Sequence, residues 1–275
     1  MKIFLDSAEL EDIERAKEYG ILDGVTTNPS LIKKAVSTRQ QQGQAVDMKD
    51  YLCKLLETAG EVPVSLEVIG TKRNEMEKEG MFLYGTFNPV AENVFVKVPV
   101  NPALQADSDS HYQGVETIKA LADRGIPVNS TLIFTPEQAL LAAKAGAAIV
   151  SPFAGRLDDY LRRENGMAFD KTDYFPAIGL EQNGETLEDN GLVSGIDLVE
   201  QCVDILERFG FSSEVLAASI RNPRQAREAA LVGAHIATLP FGVISQLLVH
   251  PKTIEGMHGF TQDIVPEYAR LFSAS

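Results

Sequence analysis

Cysteine is scarce: the 275 residues hold two, Cys53 and Cys202, far apart in patterns that read as helices. Two distant thiols suggest neither a disulfide framework nor a cysteine metal site, and a reducing, cytoplasmic setting is expected. Long apolar runs are missing, with nothing approaching the roughly 18–20 residues of a membrane-spanning helix. The first residues, Met1-Lys-Ile-Phe-Leu-Asp6, lack the apolar stretch and cleavage site of a signal peptide and read as a strand. Positive charge is in deficit, 25 Lys and Arg against 39 Asp and Glu, for a formal net charge of −14. Such a field argues against nucleic acid or an anionic membrane as partner. Any phosphorylated substrate must be held by locally placed arginines. The four histidines, His111, His235, His250 and His258, are scattered without metal-ligand spacing, and His235 beside the last strand reads as structural.

What is present is a repeating pattern. Short apolar runs open at Ile3–Leu5, Gly24–Thr26, Pro63–Ile69, Val94–Val98, Pro127–Leu132, Ala147–Ser151, Glu214–Ala218 and Ile236–Leu239, with helical patterns such as Glu9–Glu18, Glu116–Asp123 and Glu137–Ala145 between them. Strand candidates each followed by a helix candidate imply parallel βαβ units. The alternatives are an open doubly wound sheet and a closed barrel. No Gly-rich dinucleotide fingerprint follows the first strand, so one eight-stranded parallel (β/α)8 barrel over residues 1–275 is expected. Thr135-Pro-Glu-Gln138 and Asn222-Pro-Arg-Gln225 each supply an N-cap, a proline at the first helical position and a glutamine placed for a capping box. Three stretches exceed a minimal barrel and read as loop insertions: Ser37–Gln44, Asn101–Tyr112 and Asp158–Ser194.

Lys97 lies inside the apolar strand Asn93-Val-Phe-Val-Lys-Val-Pro-Val100. Burial penalises an ammonium and favours its neutral form, a nucleophile suited to Schiff-base formation with a carbonyl. The competing reading is a strand-end lysine whose ammonium reaches solvent or pairs with a carboxylate. Other polar residues recur two apart near strand ends, a spacing that puts both side chains on one face. The pairs are Asn129 with Thr131, Ser151 with Phe153, Ser65 with Glu67, and Ser219 with Arg221, while Asp6 closes the first strand and Thr26 and Asn28 the second. In a barrel these converge on the rim where such enzymes keep their sites.

Several segments resemble the short-form transaldolases and the related fructose-6-phosphate aldolases. They are Phe4-Leu-Asp6, Asp23-Gly-Val-Thr-Thr-Asn-Pro-Ser-Leu31, Val96-Lys-Val-Pro99, Asn129-Ser-Thr-Leu-Ile-Phe134, Gln138-Ala-Leu-Leu-Ala-Ala143, Ser151-Pro-Phe-Ala-Gly-Arg-Leu157 and Ala218-Ser-Ile-Arg-Asn222. The resemblance runs in order from residue 1 to about 250, interrupted by the insertions; Ala154 departs from the valine frequent in relatives. It implies a Schiff base on Lys97, with Asp6 as the acid/base for the C4 hydroxyl and Glu67 and Thr131 placing a proton-shuttling water. It also implies that Thr26, Asn28, Asn129, Ser151 and Phe153 surround the three-carbon fragment, and that Arg156, Ser219 and Arg221 clamp the phosphate. The competing role for Arg156 is a rim ion pair with Asp158 or Asp159. The iminium itself is the electron sink, so the resemblance implies neither cofactor nor metal.

Within this resemblance, Glu67 and Phe153 stand where the aldolases carry glutamine and tyrosine. Both favour transfer between sugar phosphates over release of free dihydroxyacetone. Relatives of the short form often assemble as decamers of two rings, so a homo-oligomer is expected. The segment Ile264-Val-Pro-Glu-Tyr-Ala-Arg-Leu-Phe272 offers an apolar helix face to a neighbouring subunit or to its own barrel. A sugar-phosphate binding protein on the same scaffold is the rival from a different class; it would be expected to lack Lys97 or Asp6, and both are present.

Overall fold

The computed structural model describes residues 1–273. Eight strands close into an all-parallel barrel: β1 (Lys2–Asp6), β2 (Gly24–Thr26), β3 (Val64–Glu67), β4 (Val94–Pro99), β5 (Val128–Ile133), β6 (Ile149–Pro152), β9 (Glu214–Ala217) and β10 (Ile236–Leu239). Between β6 and β9 a small antiparallel hairpin, β7 (Glu181–Gln182) and β8 (Glu185–Thr186), stands apart from the barrel. Closure comes from pairing of β1 with both β2 and β10, which leaves no barrel edge unpaired. The helices are α1 (Leu10–Glu18), α2 (Pro29–Gln41), α3 (Met48–Ala59), α4 (Arg73–Ala91), α5 (Gln113–Ala122) and α6 (Pro136–Lys144) in the first part of the chain. They continue as α7 (Ala154–Glu164), α8 (Gly195–Arg208), α9 (Pro223–Leu231), α10 (Phe241–Ile244), α11 (Pro251–Gln262) and α12 (Pro266–Arg270). No helix of the described residues is long and apolar enough to cross a membrane.

Two apolar layers hold this arrangement. Outward-facing strand residues such as Val25, Val64, Val96, Val128 and Val150 are buried under the apolar stripes of the helices. Inside the barrel, Phe4, Ile149, Leu216, Ala218 and Ile236 pack together and fill the centre, with Phe95 and Phe153 against them. Burying one such large side chain contributes about 1.5–3 kcal/mol. Gly24 exists to admit Phe4, since a Cβ there would sit 2.4 Å from the ring.

Local signals at the helix starts act as read, with one refinement. Thr135 Oγ1 accepts from Gln138 N at 3.3 Å and Gln138 Oε1 accepts from Thr135 N at 3.3 Å, a complete capping box. At α9, Asn222 Oδ1 accepts from Gln225 N at 2.9 Å, but Gln225 Oε1 accepts from Arg221 N, one residue before the cap, at 3.0 Å. Gln225 Nε2 is thereby free to donate to buried Asp158 at 2.9 Å.

The insertions differ from their expected bounds. Residues 37–41 are not loop: they complete α2, whose Ala35 is buried. The stretch 101–112 does run without helix or strand. The third insertion starts after Glu164, because Asp158 and Asp159 belong to α7. Their flanking residues Leu157 and Leu161 are fully buried, so helical packing overrides the charge run that reads as loop.

The candidate active site

At the C-terminal ends of the strands lies a pocket of about 90 Å³, lined among others by Asp6, Thr26, Asn28, Lys97, Thr131, Ser151, Phe153, Arg156 and Ser219. Of the residues proposed from sequence, only Glu67, Asn129 and Arg221 lie outside this lining. The strand register accounts for two of these three. Glu67 pairs across β3–β4 with Lys97, and Lys97 pairs across β4–β5 with Asn129, so the three stand in one row.

Lys97 is 5 % exposed. Its Nζ lies 3.2 Å from Glu67 Oε2 and donates to the Thr27 carbonyl at 3.1 Å. The lysine is buried in the barrel mouth, and it has the carboxylate partner that the competing reading expects. Asn129 supports the row from behind, donating to Ser65 Oγ at 3.0 Å and accepting from Ser151 Oγ at 2.6 Å. These bonds use both ends of the Asn129 amide and hold the Ser151 side chain on the pocket wall.

Asp6 faces Lys97 from β1. Thr26 Oγ1 lies 2.8 Å from Asp6 Oδ1 and 2.6 Å from Thr238 Oγ1. Burial pushes the Asp6 carboxyl above its ordinary range; the nearby Lys97 ammonium, the Thr26 hydrogen bond and Arg156 oppose that shift without cancelling it. The result is a more basic carboxylate than a surface aspartate. Thr238 was not foreseen from sequence. It sits inside the apolar strand Ile236–Leu239, and a polar residue in such a run is the signal that marks it.

Two backbone irregularities aim side chains here. Leu132 has φ +58° within a register shift of β5, a bulge that follows Thr131. Thr131 is fully buried, and its hydroxyl has no hydrogen-bond partner among the described residues. Ser219 has φ +61°, a left-handed conformation uncommon for a residue with a side chain. It lies beyond the end of β9, so strand alternation does not apply to it. Ser219 and Arg221 do not share a face as expected: the first lines the small pocket and the second a neighbouring cavity. Gly155, between Phe153 and Arg156, permits this crossing, since a Cβ there would meet the Ser219 carbonyl oxygen at 2.3 Å.

Asn28 caps α2 through its Oδ1, which accepts from Leu31 N at 3.0 Å. The same side chain lines the pocket. Phe153 stands at the start of α7, its ring 5.9 Å from that of Phe134. The Arg156 guanidinium lies 5.0 Å over the Phe153 ring, a cation–π contact. The expected rim ion pair exists, but on the other arginine: Arg221 Nη1 and Nη2 grip the two Asp159 oxygens at 2.6 and 2.7 Å. Asp158 makes no such pair; its carboxylate accepts from Gly195 N at 2.7 Å and from Gln225 Nε2. Burial pushes the Asp158 carboxyl up to about 7, against those bonds and the nearby arginines.

A nucleophile-capable lysine, an adjacent carboxylate and a second, more basic carboxylate on the opposite wall suit imine chemistry on a small polyhydroxylated carbonyl compound. Comparison with known proteins identifies the family. The chain matches the family described as "Transaldolase/Fructose-6-phosphate aldolase" over residues 3–274. It is 41% identical over 263 residues to a probable transaldolase of Chlorobium phaeobacteroides, covering 96% of each chain. A probable transaldolase of Aquifex aeolicus is 39% identical, again over 96% of each. One of Desulfatibacillum aliphaticivorans is 38% identical over 96% of this chain and 97% of the relative. With a barrel of this topology and these matches across its length, the chain belongs to the transaldolase/fructose-6-phosphate aldolase family.

Proposed function

We propose that the protein is a transaldolase that moves a dihydroxyacetone unit from a ketose phosphate to an aldose phosphate through a Schiff base on Lys97. The donors are sedoheptulose 7-phosphate or fructose 6-phosphate, and the acceptors glyceraldehyde 3-phosphate or erythrose 4-phosphate, as in the non-oxidative pentose phosphate pathway. The observation that carries this reading is the buried Lys97 in a pocket of about 90 Å³, with Glu67 at 3.2 Å and Asp6 across from it.

The sequence of events follows from those positions. Glu67 accepts a proton from the Lys97 ammonium, and the amine adds to the ketose carbonyl. Water leaves and an iminium forms. The unpartnered Thr131 hydroxyl and Glu67 hold the water that carries protons in this step. Asp6, made more basic by burial, takes the C4 hydroxyl proton. The C3–C4 electrons flow to the iminium nitrogen, leaving an enamine on Lys97 and a free aldose phosphate. A second aldehyde enters, the enamine attacks it, Asp6 returns the proton and hydrolysis frees the new ketose. Thr26 and Thr238 orient Asp6, Asn28 and Ser151 position the three-carbon unit, and Asn129 acts through Ser151, whose hydroxyl it holds. Arg156, which lines both cavities, holds the phosphate end by charge-assisted hydrogen bonds, with Ser219 on the small-pocket side and Arg221, paired with Asp159, on the other.

The second reading is a fructose-6-phosphate aldolase that releases dihydroxyacetone. Phe153 lines the pocket and carries no hydroxyl to protonate the enamine, which favours transfer. With fructose 6-phosphate alone the enzyme is expected to turn over poorly and to accelerate when erythrose 4-phosphate is added. Fast cleavage without acceptor would favour the aldolase.

A homo-oligomer, of the decameric kind common in relatives, is part of this proposal. Neither α11 nor α12 has a buried residue, and Leu248, Phe260 and Phe272 are 90, 74 and 67 % exposed. An apolar surface of that extent is the kind a second copy covers. Light scattering on purified protein tests it; a monomeric mass at micromolar concentration would remove the assembly.

A further inference from the structure

Next to the small pocket lies a cavity of about 550 Å³ that shares Arg156 with it. Arg156, Asp159 and Arg163 come from α7, where spacings of three and seven residues place them on one face. Lys171 and Asp189 come from the inserted loop, and Arg221 from the turn after β9. The loop is pinned in place. Lys171 O accepts from Arg221 Nη1 at 3.1 Å, and buried Arg162 donates to the carbonyls of Asp173 and Tyr174 at 3.1 and 2.9 Å.

The charges of this cavity do not balance. Among the described residues Arg221 is paired with Asp159, whereas Arg156, Arg163 and Lys171 have no acidic partner. Three unpaired cations around one cavity are conspicuous in a chain of net charge −14. Because Asp159 neutralises Arg221, the two arginines named from the family resemblance offer a surplus of only one positive charge. A phosphate monoester carries about −1.5 to −2 near pH 7. With Arg163 and Lys171 included, and Asp189 subtracted, the surplus is two, which matches the dianion.

We infer that Arg163 and Lys171 determine specificity for the phosphorylated end of the sugar, the phosphate lying on Arg156 in the cavity between α7 and the inserted loop. This rests on the reading of Lys97 as the Schiff-base lysine, which places the carbonyl end in the small pocket. The three-carbon unit then occupies the buried pocket and the aldose phosphate extends past Arg156 into the open one.

The test compares Arg163→Ala, Lys171→Ala, the double variant and Lys171→Arg in the full-length enzyme. KM for fructose 6-phosphate and for erythrose 4-phosphate is expected to rise about three- to tenfold per removed cation, between the effects typical of exposed pairs and of charge-assisted bonds. The loss is expected in KM more than in kcat, and Lys171→Arg is expected to restore affinity. Borohydride trapping of dihydroxyacetone on Lys97 involves no phosphate and serves as reference; the loss for the phosphorylated sugar must exceed the loss of trapping. Equal losses in both assays, or wild-type KM values in the double variant, would overturn the assignment. Failure of the wild type to trap dihydroxyacetone at Lys97 would instead remove the Schiff-base reading, and this inference with it.

Discussion

The small pocket and the cavity beside it are built in opposite ways. In the small pocket the lysine and the carboxylates come from strands, and each has a partner: Lys97 with Glu67, Asp6 with Thr26; Arg156 of α7 stands on its border with the neighbouring cavity. In the neighbouring cavity the charged groups come from a helix and an inserted loop, and three cations stand unpaired at the surface. The strand groups sit in a sheltered setting of lower dielectric, where a misplaced charge is costly and geometry is tightly held. The outer groups sit in screened water, where each contributes modestly and can be exchanged. The proposed function puts the chemistry in the first region and recognition of the charged end in the second. A mutation in one should change rate, and in the other affinity.

The strongest way to break this comparison is Lys97→Arg. Arginine keeps the positive charge but cannot supply a neutral amine, so neither adduct nor turnover is expected. Peptide mapping after borohydride treatment should place the wild-type adduct on Lys97 alone; an adduct on another lysine would end the assignment. Next in size is Asp6→Asn. Cleavage should fall by about 10²–10⁴, the usual share of one acid/base group, while the adduct still forms. Equal loss of both would assign Asp6 to imine formation.

The outer region predicts smaller and different effects. Arg156→Ala should weaken phosphorylated donors about ten- to a hundredfold, with little change for dihydroxyacetone. Equal losses for both would take Arg156 out of the phosphate role. Asp158, buried on α7 against Gly195 and Gln225 and lining neither cavity, gives a pH signature. Its carboxyl is raised from an ordinary 3.8 to about 7, so the folded protein holds a proton that the unfolded chain has already lost across that window. Stability should fall as pH rises from about 4 to 7, and then level off, by a few kcal/mol at most. Asp158→Asn should lack this slope in denaturant unfolding, whatever its absolute stability. A slope retained in the variant would place the titration elsewhere. The smallest expected effect is that of Phe153→Tyr, a severalfold rise in free dihydroxyacetone released without acceptor. No rise would mean that the pocket does not bring a phenol within reach of the enamine.

The barrel was legible because its signals are local. Short apolar runs of three to seven residues and capped helices repeat down the chain, and no observed strand end lies more than one residue beyond its expected run. Much of the small pocket was legible for the same reason: Asp6, Lys97 and Ser151 sit on strands whose direction is known once the barrel is. The misses have specific causes. Ser219 and Arg221 were paired by alternation, but Ser219 adopts a left-handed conformation that ends it. Asp158 and Asp159 were read as the start of a loop from their charge, whereas α7 continues through them because Leu157 and Leu161 need burial. Thr238 went unnoticed because its hydroxyl matters only beside Thr26, 212 residues away.

By itself the sequence determined the order of strands and helices, the caps that start α6 and α9, and the presence of a lysine inside a strand. Periodicity, capping and turn chemistry act over a few residues, and so can be read without knowing where the rest of the chain goes. Tertiary structure alone decided which carboxylate neutralises which arginine. Asp159 takes Arg221 and leaves Arg156 without an acidic partner among the described residues, and Lys171 is drawn to the cavity beside Arg156 by its carbonyl's bond to Arg221. Those choices depend on the phase of α7 and the path of the inserted loop across the barrel mouth. Coulomb energy depends on distance, and packing sets the distances between groups so far apart in the chain.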